Sequence, residues 1–276
     1  MSMLLGGNAL VTGAGSGIGR AVALLYVRDG VDGITIADFN GESLNETERL
    51  IKEISASVKV IAVVADVSDP TSVNDMVESA CVLGPINYAA NVAGVSHKKE
   101  STFSTELLED YDSVQRVNAR GVFLCMQAEL RVMLNQDPRP SPLLYETSHT
   151  AERGTIVNVA SVAGLFGPSG LVSYTTSKHS CVGLAKTGAV EHPRDLIRVN
   201  AVCPSFIDTP MARNIAVRRG LSESEANKYW DKVNSRNPTG RLGTAEEVAE
   251  ASTFINGQTL SVDGGMGVSY SYQVQV

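Results

Sequence analysis

The chain has 276 residues, 43% of them hydrophobic and 19% charged, with a formal net charge of −7, enough apolar material for the core of one large domain or two small ones. The negative balance, with Arg218-Arg219 and Lys98-Lys99 as the only basic pairs, excludes a nucleic-acid-binding surface. Four separated cysteines (Cys81, Cys125, Cys181, Cys203), histidines without ligand spacing and no apolar run near about 18 residues argue against a disulfide frame, a metal site and a membrane span, so a soluble, cytoplasmic protein is expected.

The first element is a short apolar strand, Ala9-Leu10-Val11, followed by Thr12-Gly13-Ala14-Gly15-Ser16-Gly17-Ile18-Gly19-Arg20 and a helix from Ala21 to Val27. Strand, glycine turn and helix together make a phosphate cradle, because glycines allow close approach and a helix N-terminus presents unpaired N–H groups to an anion. The spacing is not the common dinucleotide fingerprint, whose sixth position here is Ile18; it is Gly-x-x-x-Gly-x-Gly, with Gly13, Gly17 and Gly19 in the key places. A second strand, Gly33 to Ala37, ends at Asp38. A carboxylate at that tip accepts hydrogen bonds from ribose hydroxyls and repels a 2′-phosphate, which favours NAD over NADP; the alternative is a cap for the helix that follows.

Glu42 to Ser55 reads as a helix with Leu44, Leu50, Ile51 and Ile54 as its buried stripe. Val58 to Val64 is a third strand, leading to Asp66-Val67; Pro70 opens a helix to about Leu83. Ile86 to Ala90 is a fourth strand, running into Asn91-Val92-Ala93-Gly94. Alternating strands and helices with near-continuous apolar strands predict a parallel sheet covered on both faces, in one domain. Helical signals run from Ser104 to Leu134 around Asn118. A proline-bearing loop from Asn135 to Arg153 is either a surface insertion or a flap over the site. Then come a strand from Thr155 to Ala160 ending at Ser161, a long helix from Leu171 to Glu191, a strand from Arg198 to Val202, and Pro204 to Thr209. Two helices within Met211–Arg241, a short helix from Ala245 to Phe254 and a strand from Thr259 to Val262 complete the chain.

Ligands of a doubly wound sheet collect at the carboxyl ends of its strands, which here gathers Gly13 to Gly19, Asp38, Asp66, Asn91, Ser161 and Pro204 to Thr209. Tyr174 and Lys178, four apart on the long helix, share a face. An adjacent ammonium favours the phenolate of an acid/base tyrosine, and Ser161 can steady a developing alkoxide. Taken alone, the pair also reads as a plain helix-surface contact.

The Thr12-Gly-x-x-x-Gly-x-Gly19 run, Asn91-x-Ala93-Gly94, Ser161 thirteen residues before Tyr174, and Lys178 four after it resemble the short-chain dehydrogenase/reductase family over about Gly7 to Gly265. The resemblance implies a single Rossmann-type domain over 1–276 with about seven strands, and a substrate pocket formed by 96–103 and 205–241. It implies a tetrad of Asn118, Ser161, Tyr174 and Lys178: Tyr174 the acid/base, Ser161 orienting the substrate oxygen, Lys178 on the nicotinamide ribose, Asn118 holding a relay water. The cofactor set it implies is Gly13, Ser16, Gly17, Ile18, Gly19, Asp38, Asp66, Val67, Asn91, Ala93, Gly94, Pro204, Ile207 and Thr209, with Tyr174 and Lys178. Asp66 and Val67 would meet adenine, Asn91 would stabilise the central sheet, and Ile207 with Thr209 would hold the carboxamide. A homo-tetramer or dimer is implied as well.

Three features depart from the family pattern: Val92 for a second Asn, Ser205 for the glycine after Pro204, and a short segment from Glu250 to Asn256. The last is expected to uncover the final strand. The leading expectation is an NAD-dependent enzyme that moves a hydride between the cofactor and a secondary alcohol or ketone of a mid-sized, largely apolar substrate, with no metal. A dehydratase- or epimerase-like relative using NAD transiently, or a non-catalytic NAD(H)-binding protein, are the alternatives.

Overall fold

The computed structural model describes residues 6–97, 101–140, 151–251 and 256–268. In chain order these form β1 (Asn8–Thr12), α1 (Gly17–Arg28), β2 (Gly33–Asp38), α2 (Gly41–Ile54), β3 (Lys59–Val64), α3 (Pro70–Cys81) and β4 (Ile86–Asn91). Then come α4 (Leu108–Gln115), a π-helical turn at Arg116–Gly121, α5 (Val122–Met133), a two-stranded ribbon of β5 (Arg139–Pro140) and β6 (Ala151–Glu152), β7 (Gly154–Val159) and α6 (Val172–Glu191). The rest is β8 (Ile197–Pro204), α7 (Pro210–Arg218), α8 (Glu223–Arg236), α9 (Ala245–Glu250) and β9 (Thr259–Val262).

Seven strands form one parallel sheet in the order β3-β2-β1-β4-β7-β8-β9. This is the Rossmann-type doubly wound fold expected from the alternation of apolar strands and amphipathic helices. Both faces are covered, and alternate residues of one strand serve different layers: Leu10 packs with Met76, Ile86 and Ile156 on one side, while Ala9 and Val11 pack with Val22, Tyr26 and Ile36 on the other. A strand buried on two faces has no polar alternation to show. The strand order reverses between β1 and β4, which opens a crevice at their carboxyl ends.

The edges differ from the centre. On β3, Val64 is 66% exposed, and β9, at the other edge of the sheet, is half-buried along its length with Ser261 exposed. The predicted stripe of α2 is corrected in part: Leu44 and Ile51 are buried, Leu50 is half-buried and Ile54 faces solvent. Thr47, between Leu44 and Ile51, is also buried, and its Oγ1 donates to the Ala14 carbonyl (2.9 Å), tying α2 to the glycine turn. The 135–153 segment is based at the amino end of the sheet, opposite the crevice. Gln136 Nε2 donates to the Ile86 carbonyl (2.9 Å), Arg153 N to that of Leu196 (2.8 Å), and Arg139 pairs with Glu152 (2.9 Å) across the ribbon. Its middle, 141–150, lies outside the described residues, as do 252–255 of the predicted Ala245–Phe254 helix.

Candidate active site

The glycine turn between β1 and α1 has a steric reason at each position. Gly13 has φ +66°, and a Cβ there would come 2.7 Å from the backbone of Ala93. A Cβ on Gly19 would overlap the Gly13 carbonyl, and one on Gly15 would stand 2.8 Å from the Asp38 carboxylate. Ser16 occupies the N-cap of α1 without a side-chain hydrogen bond, so its hydroxyl leaves the first-turn N–H groups to the crevice. The resulting cradle, lined by backbone and closed at its far side by Thr209 (3.2 Å from a Cβ placed on Gly17), fits a dinucleotide pyrophosphate.

Asp38 does not cap α2; Asn40 does, its Oδ1 accepting from Ser43 N (3.1 Å). The Asp38 carboxylate instead accepts from Gly15 N and Asn40 N, one per oxygen, both at 2.9 Å. Each carboxylate oxygen accepts two bonds, so the group is held in place and keeps acceptor capacity toward the crevice. Asp66 and Val67 line the same end of it, with Phe39 beside Asp38.

At the other end, Ser161, Tyr174 and Lys178 converge. Ser161 caps a 3₁₀ turn (Val162–Gly164): its Oγ accepts from Ala163 N (3.1 Å) and lies 3.4 Å from the Pro204 carbonyl. Lys178 Nζ is buried, donates to the Val159 carbonyl (2.9 Å) and stands 5.6 Å from the Tyr174 ring centre. Asn118 sits in the π-helical turn, the kind of helix irregularity that recurs at functional sites. Its side chain is fully engaged: Oδ1 accepts from Val95 N (2.8 Å), while Nδ2 donates to Val95 O (2.9 Å) and Ser177 Oγ (3.2 Å). The Asn118 carbonyl accepts the Cys181 thiol (3.0 Å). Asn118 therefore fixes the loop after β4 against α6. Beneath Ser161, burial pushes the Cys203 thiol up to about 11 and keeps it protonated.

Asn91 closes β4 below this site. Its Nδ2 donates to Asn158 Oδ1 (3.2 Å) on β7 and to Glu129 Oε2 (3.0 Å) on α5. Glu129 is fully buried, and desolvation pushes its carboxyl up to about 7 against the opposing hydrogen bond from Asn91. Among the described residues, Glu129 Oε1 and Asn91 Oδ1 have no hydrogen-bond partner. Nothing in the apolar pattern around Glu129 marked it as buried.

One cleft of about 720 Å³ joins both ends and is lined by all of the predicted tetrad and cofactor residues except Asn118 and Asn91, which lie beneath it. Within 205–241, expected to form the substrate pocket from its mix of apolar Phe206, Ile207, Met211, Ile215, Tyr229 and Trp230 with polar Arg213 and Asn214, the first four of these reach the cleft. Tyr229 and Trp230 do not: they meet edge-to-face on α8 (centres 4.9 Å apart), with Arg219 over Tyr229. Arg213 is held outside by Asp208 (2.8 Å). Pro168, Leu171, Arg116 and Met266 line the cleft without having been singled out, because they reach it from distant parts of the chain. Lys98 and Lys99, with 100, fall outside the described residues.

A family profile described as enoyl-(acyl carrier protein) reductase matches residues 13–267. The short-chain dehydrogenase srdC of Neurospora crassa is 35% identical over 274 residues, 95% of this chain and 97% of that one. Levodione reductase of Leifsonia aquatica is 32% identical over 270 residues, 95% of this chain and 94% of that one. A crystal structure of levodione reductase superposes with a TM-score of 0.84 at 31% identity, covering 95% and 98% of the two chains. The actinorhodin polyketide ketoreductase with NADPH gives 0.82 at 28% identity, covering 96% and 98%. The chain belongs to the short-chain dehydrogenase/reductase family. It is an oxidoreductase of the nicotinamide-nucleotide-binding kind, and its reaction class is the interconversion of secondary alcohols and ketones. Among the described residues, no helix is long and apolar enough to cross a membrane.

Proposed function

We propose that the chain is an NAD-dependent secondary-alcohol dehydrogenase or ketone reductase with Tyr174 as its acid/base. The observation that carries this reading is that Tyr174, Ser161 and buried Lys178 line the same cleft, with Lys178 beside the Tyr174 ring and Ser161 next to the Pro204 carbonyl. The nicotinamide supplies or takes up the hydride when bound. Tyr174 gives its phenolic proton to the oxygen that gains charge during ketone reduction, and takes that proton back when an alcohol is oxidised. Ser161 donates a hydrogen bond to the same oxygen, a fixed dipole aimed where charge develops. Lys178, anchored by the Val159 carbonyl, holds positive charge beside the ring.

Gly13, Ser16, Gly17, Ile18 and Gly19 would hold the pyrophosphate, Asp38 the adenosine ribose, and Asp66 with Val67 the adenine. Ala93, Gly94, Lys178, Pro204, Ile207 and Thr209 would surround the nicotinamide half. NAD preference rests on Asp38, whose carboxylate repels a 2′-phosphate. The domain spans 1–276, with the substrate between 96–103 and 205–241, where Phe206, Met211 and Ile215 favour a mid-sized apolar body. Exposed Leu108 and Phe123 on neighbouring helices support a homo-oligomer.

The test is a fluorescence titration with NADH and NADPH beside turnover of a panel of ketones. Tyr174→Phe is expected to bind NADH as the parent does and to lose about 10²- to 10⁴-fold in kcat. Surviving activity sinks the acid/base assignment, and equal affinity for the two nucleotides sinks the role given to Asp38.

A further inference from the structure

We propose that Glu129 is a positioning residue of the nucleotide site: as a carboxylic acid it closes a hydrogen-bonded ring with the Asn91 amide, and loss of its proton loosens the strand tip that meets the cofactor. This role depends on the reading above, in which Ala93 and Gly94 border the nicotinamide half.

Two observations carry the ring. Asn91 Nδ2 donates one hydrogen to Glu129 Oε2 (3.0 Å) and the other to Asn158 Oδ1 (3.2 Å). Among the described residues, the second oxygen of each partner, Glu129 Oε1 and Asn91 Oδ1, is buried and has no hydrogen-bond partner. Both atoms are acceptors while Glu129 is ionised, so neither can satisfy the other. A single proton on Oε1 serves both, because an acid and a primary amide that share one N–H···O bond close into a ring through O–H···O. Turning the Asn91 amide over would aim its oxygen at Asn158 Oδ1, another acceptor. Asn158 is itself oriented by its Nδ2, which donates to Met126 Sδ (3.0 Å).

The surroundings keep the proton on Glu129. The side chain is fully buried, and desolvation pushes its carboxyl up against the opposing bond from Asn91. β4 and β7 face it with the amides of Asn91 and Asn158. α3 and α6, which also pack on α5, join it in one apolar cluster through Met76, Val77, Ala80 and Ala185. The titratable groups that sense its charge are Cys125 on α5 and Tyr26 on α1, and burial raises both and keeps them neutral. Among the described residues no cation stands against Glu129.

Asn91 is the last residue of β4, and the tip beyond it touches both halves of the cleft. Val92 N and Ala93 N donate to Thr12 Oγ1 (3.1 and 3.3 Å). A Cβ on Gly13 would stand 2.7 Å from Ala93, and one on Gly94 would stand 3.6 Å from Lys178 Nζ. Once the proton leaves, a buried charge remains and two acceptor oxygens lack a donor. Moving Asn91 relieves this at the expense of the tip. Binding therefore favours the protonated acid, and cofactor affinity falls as pH rises through the titration of Glu129.

The experiment measures NADH affinity by fluorescence at about pH 6 and about pH 9 in the parent and in Glu129→Gln, beside infrared spectra of both proteins. The parent is expected to weaken about tenfold more than Glu129→Gln between the two conditions. The Gln amide closes the same ring with Asn91 and cannot ionise, so it keeps the tighter affinity. Other groups that titrate in this range act on both proteins and cancel in the comparison. The infrared difference should show the band of a protonated carboxyl in the parent at the lower pH, fading at the higher. The same pH profile in both proteins, or no such band, overturns this inference and leaves the proposed function standing. A parent that binds NADH under neither condition counts against the proposed function and takes this inference with it.

Discussion

The two halves of the cleft are built on different principles. The glycine half is made of backbone: Gly13, Gly15 and Gly19 stand where a Cβ would strike Ala93, Asp38 or the Gly13 carbonyl, and the strands behind them are buried on both faces. The substrate half is made of side chains on outer helices. In α8 only Val233 is buried, and α7 reaches the loop after β4 through Arg218 across 121 residues of sequence. Backbone geometry tolerates almost no substitution, because the ligand is met by N–H groups every residue has and shaped by side chains no residue may add. The other half can vary its chemistry without disturbing the sheet.

The sharpest way to break this contrast is Gly19→Ala. A single methyl against the Gly13 carbonyl should abolish NADH binding in the fluorescence titration and cost about 1–3 kcal/mol in urea unfolding. A variant that binds normally would mean that the cradle yields as readily as the outer helices do. Glu129 tests the seam between the halves, since Asn91 ends the strand that leads to both Ala93 and His97. Its carboxyl stays protonated up to about 7 in the fold, but loses its proton near 4.5 once unfolded. Between those values the native state binds more protons, so stability falls as pH rises, by about 3 kcal/mol in all, and is flat above. Glu129→Gln should erase that slope, which shows as a gain over the parent in urea unfolding at pH 8 and none at pH 4.5. The smallest effect belongs to the outer helices. Ser222 and Glu225 form a capping box on α8, and Ser222→Ala should cost about 1 kcal/mol while leaving NADH affinity intact.

The same contrast explains what could be read from the sequence. The cradle, Asp38 and the Tyr174–Lys178 pair are local: their meaning lies in spacings of two to four residues beside recognisable strands and helices. The parallel sheet covered on both faces followed from strands apolar enough to be buried on both sides. Four features were not legible. Thr47 lies on the inner face of α2 because its hydroxyl finds a carbonyl on another element, while Ile54, the last residue of the helix, faces solvent. Tyr229 and Trp230 look like pocket residues by composition, yet they satisfy each other on the outside of α8. Glu129 reads as a surface position of an amphipathic helix, and only the pairing of Asn91 with Asn158 reveals that it is enclosed. The hydrogen bonds from Arg218 to Ser96 Oγ and the His97 carbonyl depend on two segments meeting that no periodicity connects.

The ribbon of Arg139–Pro140 and Ala151–Glu152 has a consequence for how this enzyme can change over generations. It clasps the two ends of its segment at the amino end of the sheet, with Arg139 lying over Tyr88 and Arg198 reaching Glu152 from the neighbouring strand. Closing a longer loop costs little extra, growing only with the logarithm of its length. The anchors at Pro140 and Ala151 therefore stand at the end of the sheet opposite the glycine turn and Ser161, and a change in the number of residues joining them bears first on this ribbon rather than on the strand tips that carry the chemistry.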